Sequence, residues 1–112
     1  KLQMGIETVL DTVGFDDLLD GTDVVFTGEG RLDSQSLRGK VVIGIARHTK
    51  PKKVPLIAVV GCIEDPIDSV YNEGVTAVFT TSRAVIPFEQ VKLRCEDDLR
   101  RTMDNLMHLF QA

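Results

Sequence analysis

The 112-residue chain is 43% hydrophobic and 27% charged, enough apolar material for one core and too apolar for a disordered segment. With 13 basic and 17 acidic residues its formal charge is −4, so a general attraction to nucleic acid or to an anionic membrane has no support and any phosphate binding must be local. No apolar run reaches bilayer-spanning length, and the start lacks the basic-then-apolar order of a secretory leader, which leaves a cytoplasmic location as the expectation.

In chain order, Leu2, Ile6, Val9, Leu10 and Val13 recur at helical spacing, with Gly14 placed to end the helix. The pattern is already helical at Lys1, which suggests a piece of a larger protein. Phe15, Leu18 and Leu19 beside Asp16 and Asp17 predict a short second helical turn, and Asp20-Gly21 marks the turn that follows. Residues 23–27 are β-branched and bounded by glycine, the pattern of a strand buried on both faces of a parallel sheet. A polar loop is expected from Gly28, then a helix from Val41 to Thr49 that stops ahead of Pro51.

Leu56-Ile57-Ala58-Val59-Val60 predicts a second buried strand ending at Gly61. Asp65-Pro66 is suited to cap and open a short helix through Ile67, Val70 and Tyr71, closed by Gly74. Val75 to Thr80 predicts a third strand, and Pro87 opens the longest helix. On that helix Phe88, Val91, Cys95, Leu99, Met103, Leu106 and Phe110 form one apolar side, with Glu89, Lys92, Glu96, Arg100 and Asp104 largely opposite. Strands alternating with helices predict an α/β fold: a three-layer, Rossmann-like parallel sheet flanked by helices and built by right-handed crossovers. Three strands make only a partial domain, whose remaining strands are expected from the rest of the chain or from another subunit.

Cys62 and Cys95 lie in apolar surroundings on separate predicted elements, without metal or disulfide spacing, and read as reduced core residues. His48 and His108 stand alone on predicted helices, as surface or boundary residues. The dinucleotide fingerprint fails because Asp33 stands at its third glycine, and the P-loop fails because Ser34 stands at its first.

Chemistry is concentrated from Thr27 to Lys40. Phosphoryl transfer needs cations or N–H groups around the moving phosphate and carboxylates for Mg²⁺ and the attacking hydroxyl. Glu29 and Asp33 offer the carboxylates, the guanidinium fork of Arg31 suits a carboxylate or phosphate, and Lys40 adds charge at a helix start. Gly28 and Gly30 are expected to turn the chain sharply and let the backbone approach a ligand, with Ser34, Gln35 and Ser36 orienting its oxygens. The alternative is structural: Glu29, Arg31 and Asp33 as an ion-pair cluster that pins a loop.

Thr27-Gly28-Glu29-Gly30-Arg31, then Asp33, Gln35-Ser36-Leu37 and Gly39-Lys40, resemble the hallmark segment of bacterial type I glycerate kinases. The resemblance extends upstream through Gly5-Ile6-Glu7, Val9-Leu10-Asp11 and Gly14-Phe15-Asp16, and downstream through Pro55 to Gly61, Tyr71, Gly74 and Ala77-Val78-Phe79. It implies that residues 1–112 are the C-terminal part of a Rossmann-like α/β glycerate kinase domain, the rest of the enzyme lying outside this chain. It further implies ATP-dependent phosphorylation of D-glycerate, giving 2-phosphoglycerate as the commoner product, with Mg²⁺ as cofactor. In that setting Asp33, Arg31 and Lys40 become catalytic candidates, Gly28, Gly30, Ser34, Gln35 and Ser36 substrate-binding candidates, and Glu29 and Asp33 candidate Mg²⁺ ligands. The expected partners are the substrate and the missing part of the enzyme, or a second copy in a homo-oligomer, and the isolated piece is expected to be inactive. A departure follows Gly61, where Cys62-Ile63-Glu64-Asp65-Pro66 stands in place of the adjacent acidic residues such kinases tend to carry, so no contact is carried over from that loop. Two other readings stay open: a non-catalytic module that binds a small organic acid, and a structural fragment of a two-domain α/β enzyme.

Overall fold

A computed structural model of the chain describes residues 5–33 and 40–112. Helix α1 (Gly5–Val13) ends at Gly14, whose φ of 67° is the left-handed conformation that a helix terminus favours in glycine. The short helix α2 (Phe15–Leu18) follows, then strand β1 (Val25–Asp33), helix α3 (Lys40–Thr49) and strand β2 (Leu56–Glu64). Helix α4 (Asp68–Asn72), strand β3 (Ala77–Thr80) and helix α5 (Phe88–Gln111) complete the order. The strands form one parallel sheet in the order β1-β2-β3, so the expected α/β class is the observed one.

The sheet has two unequal faces. Leu56, Ala58 and Val60 of β2 point to a core with Leu10 of α1, Val42, Ile45 and Ala46 of α3, and Ile67 and Val70 beside α4. Their neighbours Ile57 and Val59 point the other way, toward Leu106 and Met103 of α5 and Phe26 of β1. Phe26 and Phe110 meet edge to face at 6.0 Å between ring centres, a favourable aromatic geometry. The sheet is therefore the middle of three layers, as period-two alternation requires when both faces are covered.

Three expectations are corrected. Both glycine-ended strands run on past their first glycine, β1 to Asp33 and β2 to Glu64, because the two chains continue to pair with each other there. Helix α4 begins at Asp68 with Ile67 in the cap position and no side-chain cap, so Asp65 and Pro66 precede the helix instead of opening it. On α5 the buried residues are Asp98, Thr102 and Leu106, whereas Phe88, Leu99 and Phe110 of the expected apolar side are exposed. The seated face of that helix is rotated from its apolar stripe. Asp98 is buried with Arg94 as an ion-pair partner at 3.2 Å, the compensation a buried carboxylate needs.

A polar clamp ties the helices of the well-packed face together. His48 on α3 meets Glu7 of α1 through Nε2 at 3.0 Å and Asp16 of α2 through Nδ1 at 2.7 Å, while Phe15 stands edge-on to its ring. Only the imidazolium has the two N–H groups that this arrangement uses. The bond to Glu7, then that to Asp16, hold the His48 pKa above its ordinary 6.5. A raised folded-state value means that the stabilisation is complete below about pH 6.5 and is lost as pH climbs through the folded pKa. The melting temperature should thus contain a component that falls as pH rises above about 6.5, and His48→Gln should lower the acidic-side value by roughly 3–6 °C and remove that component. Thermal unfolding of both proteins across the range checks this, and identical pH slopes would show that the clamp contributes nothing.

Candidate functional site

The sequence leads to a sharp turn at Gly28 and Gly30, but both stay in extended strand β1, and neither has positive φ. Their use is different. Gly30 lies beside Gly61 of β2, where a β-carbon on Gly61 would stand 2.7 Å from the Gly30 carbonyl oxygen. A side chain on Gly61 does not fit in that gap, the close backbone approach that glycine in a strand permits.

The side-chain alternation changes at this glycine pair. Before it, Val25, Leu56, Ala58 and Val60 face the α3 side. Strict alternation would keep Arg31 and Cys62 with them and send Leu32 to the α5 side. Instead Leu32 is fully buried in the α3-side core, and Arg31 and Cys62 border a cavity with residues of α5. The switch turns Arg31 and Cys62 to the α5 side at the carboxyl ends of the strands, where open α/β sheets take their ligands.

That cavity encloses about 580 Å³ and is bordered by Arg31, Cys62, Ser82, Phe88, Lys92 and Cys95 among others. Its size is within the range of small-molecule sites. The Arg31 guanidinium pairs with Glu64 at 2.7 Å, and both side chains are about half exposed, 46% and 48%. Such an exposed pair contributes at most about 1 kcal/mol to stability, so Arg31 is oriented by Glu64 without being committed to it. Arg31 thus has an ion-pair partner, Glu64, outside the expected set of Glu29 and Asp33. Glu29 lies before the alternation change, with Val25 parity, and its Oε1 accepts the Gly30 N–H at 3.2 Å.

Asp33 ends β1 in register with Glu64, and Lys40 is the exposed first residue of α3. Ser34, Gln35 and Ser36 lie outside the described residues. Cys62 and Cys95, expected in the core, are both free and exposed, because one follows the glycine pair out to the cavity and the other faces it from α5. Sequence reasoning also missed Glu64, Ser82 and Lys92. The available signal for Glu64 was the continued pattern Cys62-Ile63-Glu64, which extends a strand past Gly61. Among the described residues, no group of three or more His, Cys, Asp or Glu side chains is placed to hold a metal ion, and no helix is long and apolar enough to cross a membrane.

Fold and site together define a parallel α/β unit that presents charged side chains of both signs at the carboxyl ends of its strands. Comparison with known proteins makes the class specific. A model of the glycerate kinase family matches residues 1–111, and the chain belongs to that family. It is 38% identical over 95% of its length to a glycerate kinase of Haemophilus influenzae, and 37% identical over 90% to one of Bacillus subtilis. It is 32% identical over 95% to a glycerate 2-kinase of Escherichia coli. A crystal structure from Salmonella typhimurium LT2, assigned as a glycerate kinase 2, superposes on 99% of the chain with a TM-score of 0.71 at 32% identity. The chain spans only 26–28% of the length of these curated relatives and 28% of that solved chain.

The glycine pair gives a direct test of the site's construction. Gly61→Ala should destabilise the protein by about 1–3 kcal/mol, the usual cost of forcing a methyl into filled space. Gly30→Ala, with nothing within 4 Å of its added β-carbon, should be nearly neutral. Parallel thermal melts measure the difference, and equal stability of the two variants would reject the close approach.

Proposed function

We propose that the protein containing this chain is a glycerate kinase that transfers a phosphoryl group from ATP to D-glycerate, with the 2-hydroxyl as acceptor, and that residues 1–112 are its C-terminal part. The observation that carries this reading is the family match over residues 1–111, together with an arginine-bearing cavity at the strand ends. In this reading Arg31 grips the glycerate carboxylate or the moving phosphate with two parallel N–H bonds, and Glu64 holds the guanidinium in place from the neighbouring strand. Lys40 supplies a second positive charge at a helix start, where the backbone dipole adds to it. Gly28 and Gly30 leave the backbone accessible to substrate, and Ser34, Gln35 and Ser36 complete the polar set in the segment before Lys40.

Asp33 has the chemistry to accept the proton of the attacking hydroxyl. Mg²⁺ usually takes one or two protein carboxylates and completes its shell with phosphate oxygens and water, so the terminal carboxylate of β1 suits it. Asp33 would hold the ion in this chain. Glu29, on the other side of the alternation change, is a weaker partner for it. Bound with the nucleotide, Mg²⁺ neutralises phosphate charge.

The open edges of β1 and β3 and the exposed apolar residues of α5 outside the cavity wall, such as Leu93 and Leu109, are in this reading covered by the remainder of the enzyme. The 112-residue chain alone should consequently show no glycerate-dependent ATP turnover, and a rate near that of the complete protein would reject this division of labour.

In the complete protein, Arg31→Lys should lose turnover severely although charge is kept, since an ammonium does not reproduce a bidentate fork. Asp33→Asn should lower turnover by about two orders of magnitude or more, the usual scale for losing such a group. Both proteins should melt close to the wild type. Glycerate turnover and thermal unfolding on the same samples decide between this and a scaffold role, which would lower melting temperature and leave the folded fraction active. Turnover with other hydroxy acids but not glycerate would move the activity to another substrate.

A further inference from the structure

The sequence carries two cysteines, and the fold brings both to the wall of one cavity: Cys62 from the end of β2 and Cys95 from α5. Both thiols are free and exposed. Neither belongs to the phosphoryl-transfer reading. Each is open to a molecule that enters a space of about 580 Å³ beside Lys92, whose charge favours an anionic visitor, and Arg31, which Glu64 partly neutralises. Phe88, Ile86 and Val91 on the same wall provide apolar surface for its organic part.

We infer that Cys62 and Cys95 make this cavity a site of reversible S-thiolation by small anionic disulfides, and that the attached group shuts the site to substrate. The inference rests on the reading of the cavity as part of the glycerate and phosphate site. The reaction is thiol–disulfide exchange: a cysteine thiolate attacks one sulfur of the disulfide, a protein mixed disulfide forms, and the disulfide's own S–S bond breaks. The departing half leaves as a thiolate and takes up the proton that the cysteine gave up. No other oxidant is needed, and a small thiol in excess reverses the step. Residues before the glycine pair could not do this, because their side chains on this face, such as Val59, lie in packed core. The alternation change at Gly30 and Gly61 is what puts a thiol in the open.

The test uses the complete protein and dithiobis(nitrobenzoate), an anionic aromatic disulfide whose released thiolate is coloured. In native wild type, two more thiols should react rapidly than in the Cys62→Ser/Cys95→Ser double variant. Saturating D-glycerate or inorganic phosphate should slow those two thiols by about fivefold or more, as expected when a ligand fills the same cavity. Glycerate turnover should fall at least about tenfold with modification and return with dithiothreitol. The double variant, compared with its own untreated control, should lose no turnover. Thiols that react only after denaturation, or that react without protection by either ligand, would overturn the inference, as would equal inactivation of the double variant. Absence of glycerate turnover in the untreated protein is a distinct result: it removes the proposed activity, while the difference in thiol count and the protection by phosphate still decide the thiolation site.

Discussion

The candidate site depends on one close approach, the passage of Gly61 beneath the Gly30 carbonyl. A β-carbon on Gly61 would sit at 2.7 Å, well inside ordinary contact distance, so the approach is possible only because Gly61 has no side chain. The glycine pair lets β1 and β2 continue together to Asp33 and Glu64 and exchange which residues face α3 and which face α5. Buried Leu32 then anchors the ends of the strands in the α3-side core while Arg31 and Cys62 turn outward. A single local constraint thus serves both the core and the cavity.

The two faces of the sheet divide the work. On the α3 side, fully buried Leu56, Ala58 and Val60 meet three helices, and removing a side chain as large as Leu56 from such packing typically costs about 2–5 kcal/mol. The His48 clamp fastens α3 to α1 and α2 at the opposite end of the strands from the cavity, since α3 must return from the end of β1 to the start of β2. The α5 side is lighter, with Ile57, Val59 and Leu106 as its buried members. That lightness leaves space between the sheet and the start of α5 for a cavity, and it leaves the apolar side of α5 without cover inside this chain.

Membership of the glycerate kinase family fits this division, because the chain spans little more than a quarter of its relatives. The cavity at the strand ends has a floor, which the sheet supplies, and a wall, of which α5 makes part. The ion pair of Arg31 with Glu64 joins adjacent strands at that floor, so the position of the guanidinium is set by strand pairing and not by a loop.

Local pattern determined much of this protein by itself. Short β-branched apolar runs and stripes of period three to four located all three strands and the helices, and glycines at the ends of α1 and α4 closed them, because those signals act within a few residues. The run from Thr27 to Lys40 likewise carried the family resemblance, which the match over residues 1–111 bears out, without help from the fold. What tertiary structure decided were matters between distant residues. Arg31 and Glu64 are separated by a helix in sequence and become neighbours through the ladder register, and Cys62 and Cys95 share a cavity although they belong to different layers. The rotation of α5 onto Asp98 and Thr102 was equally hidden, since its apolar stripe reports which residues avoid water in the whole protein and not which ones this sheet can reach. The switch of faces at Gly30 and Gly61 is the clearest case: each glycine alone reads as a turn, and only their pairing across strands makes an extended backbone with its side chains exchanged.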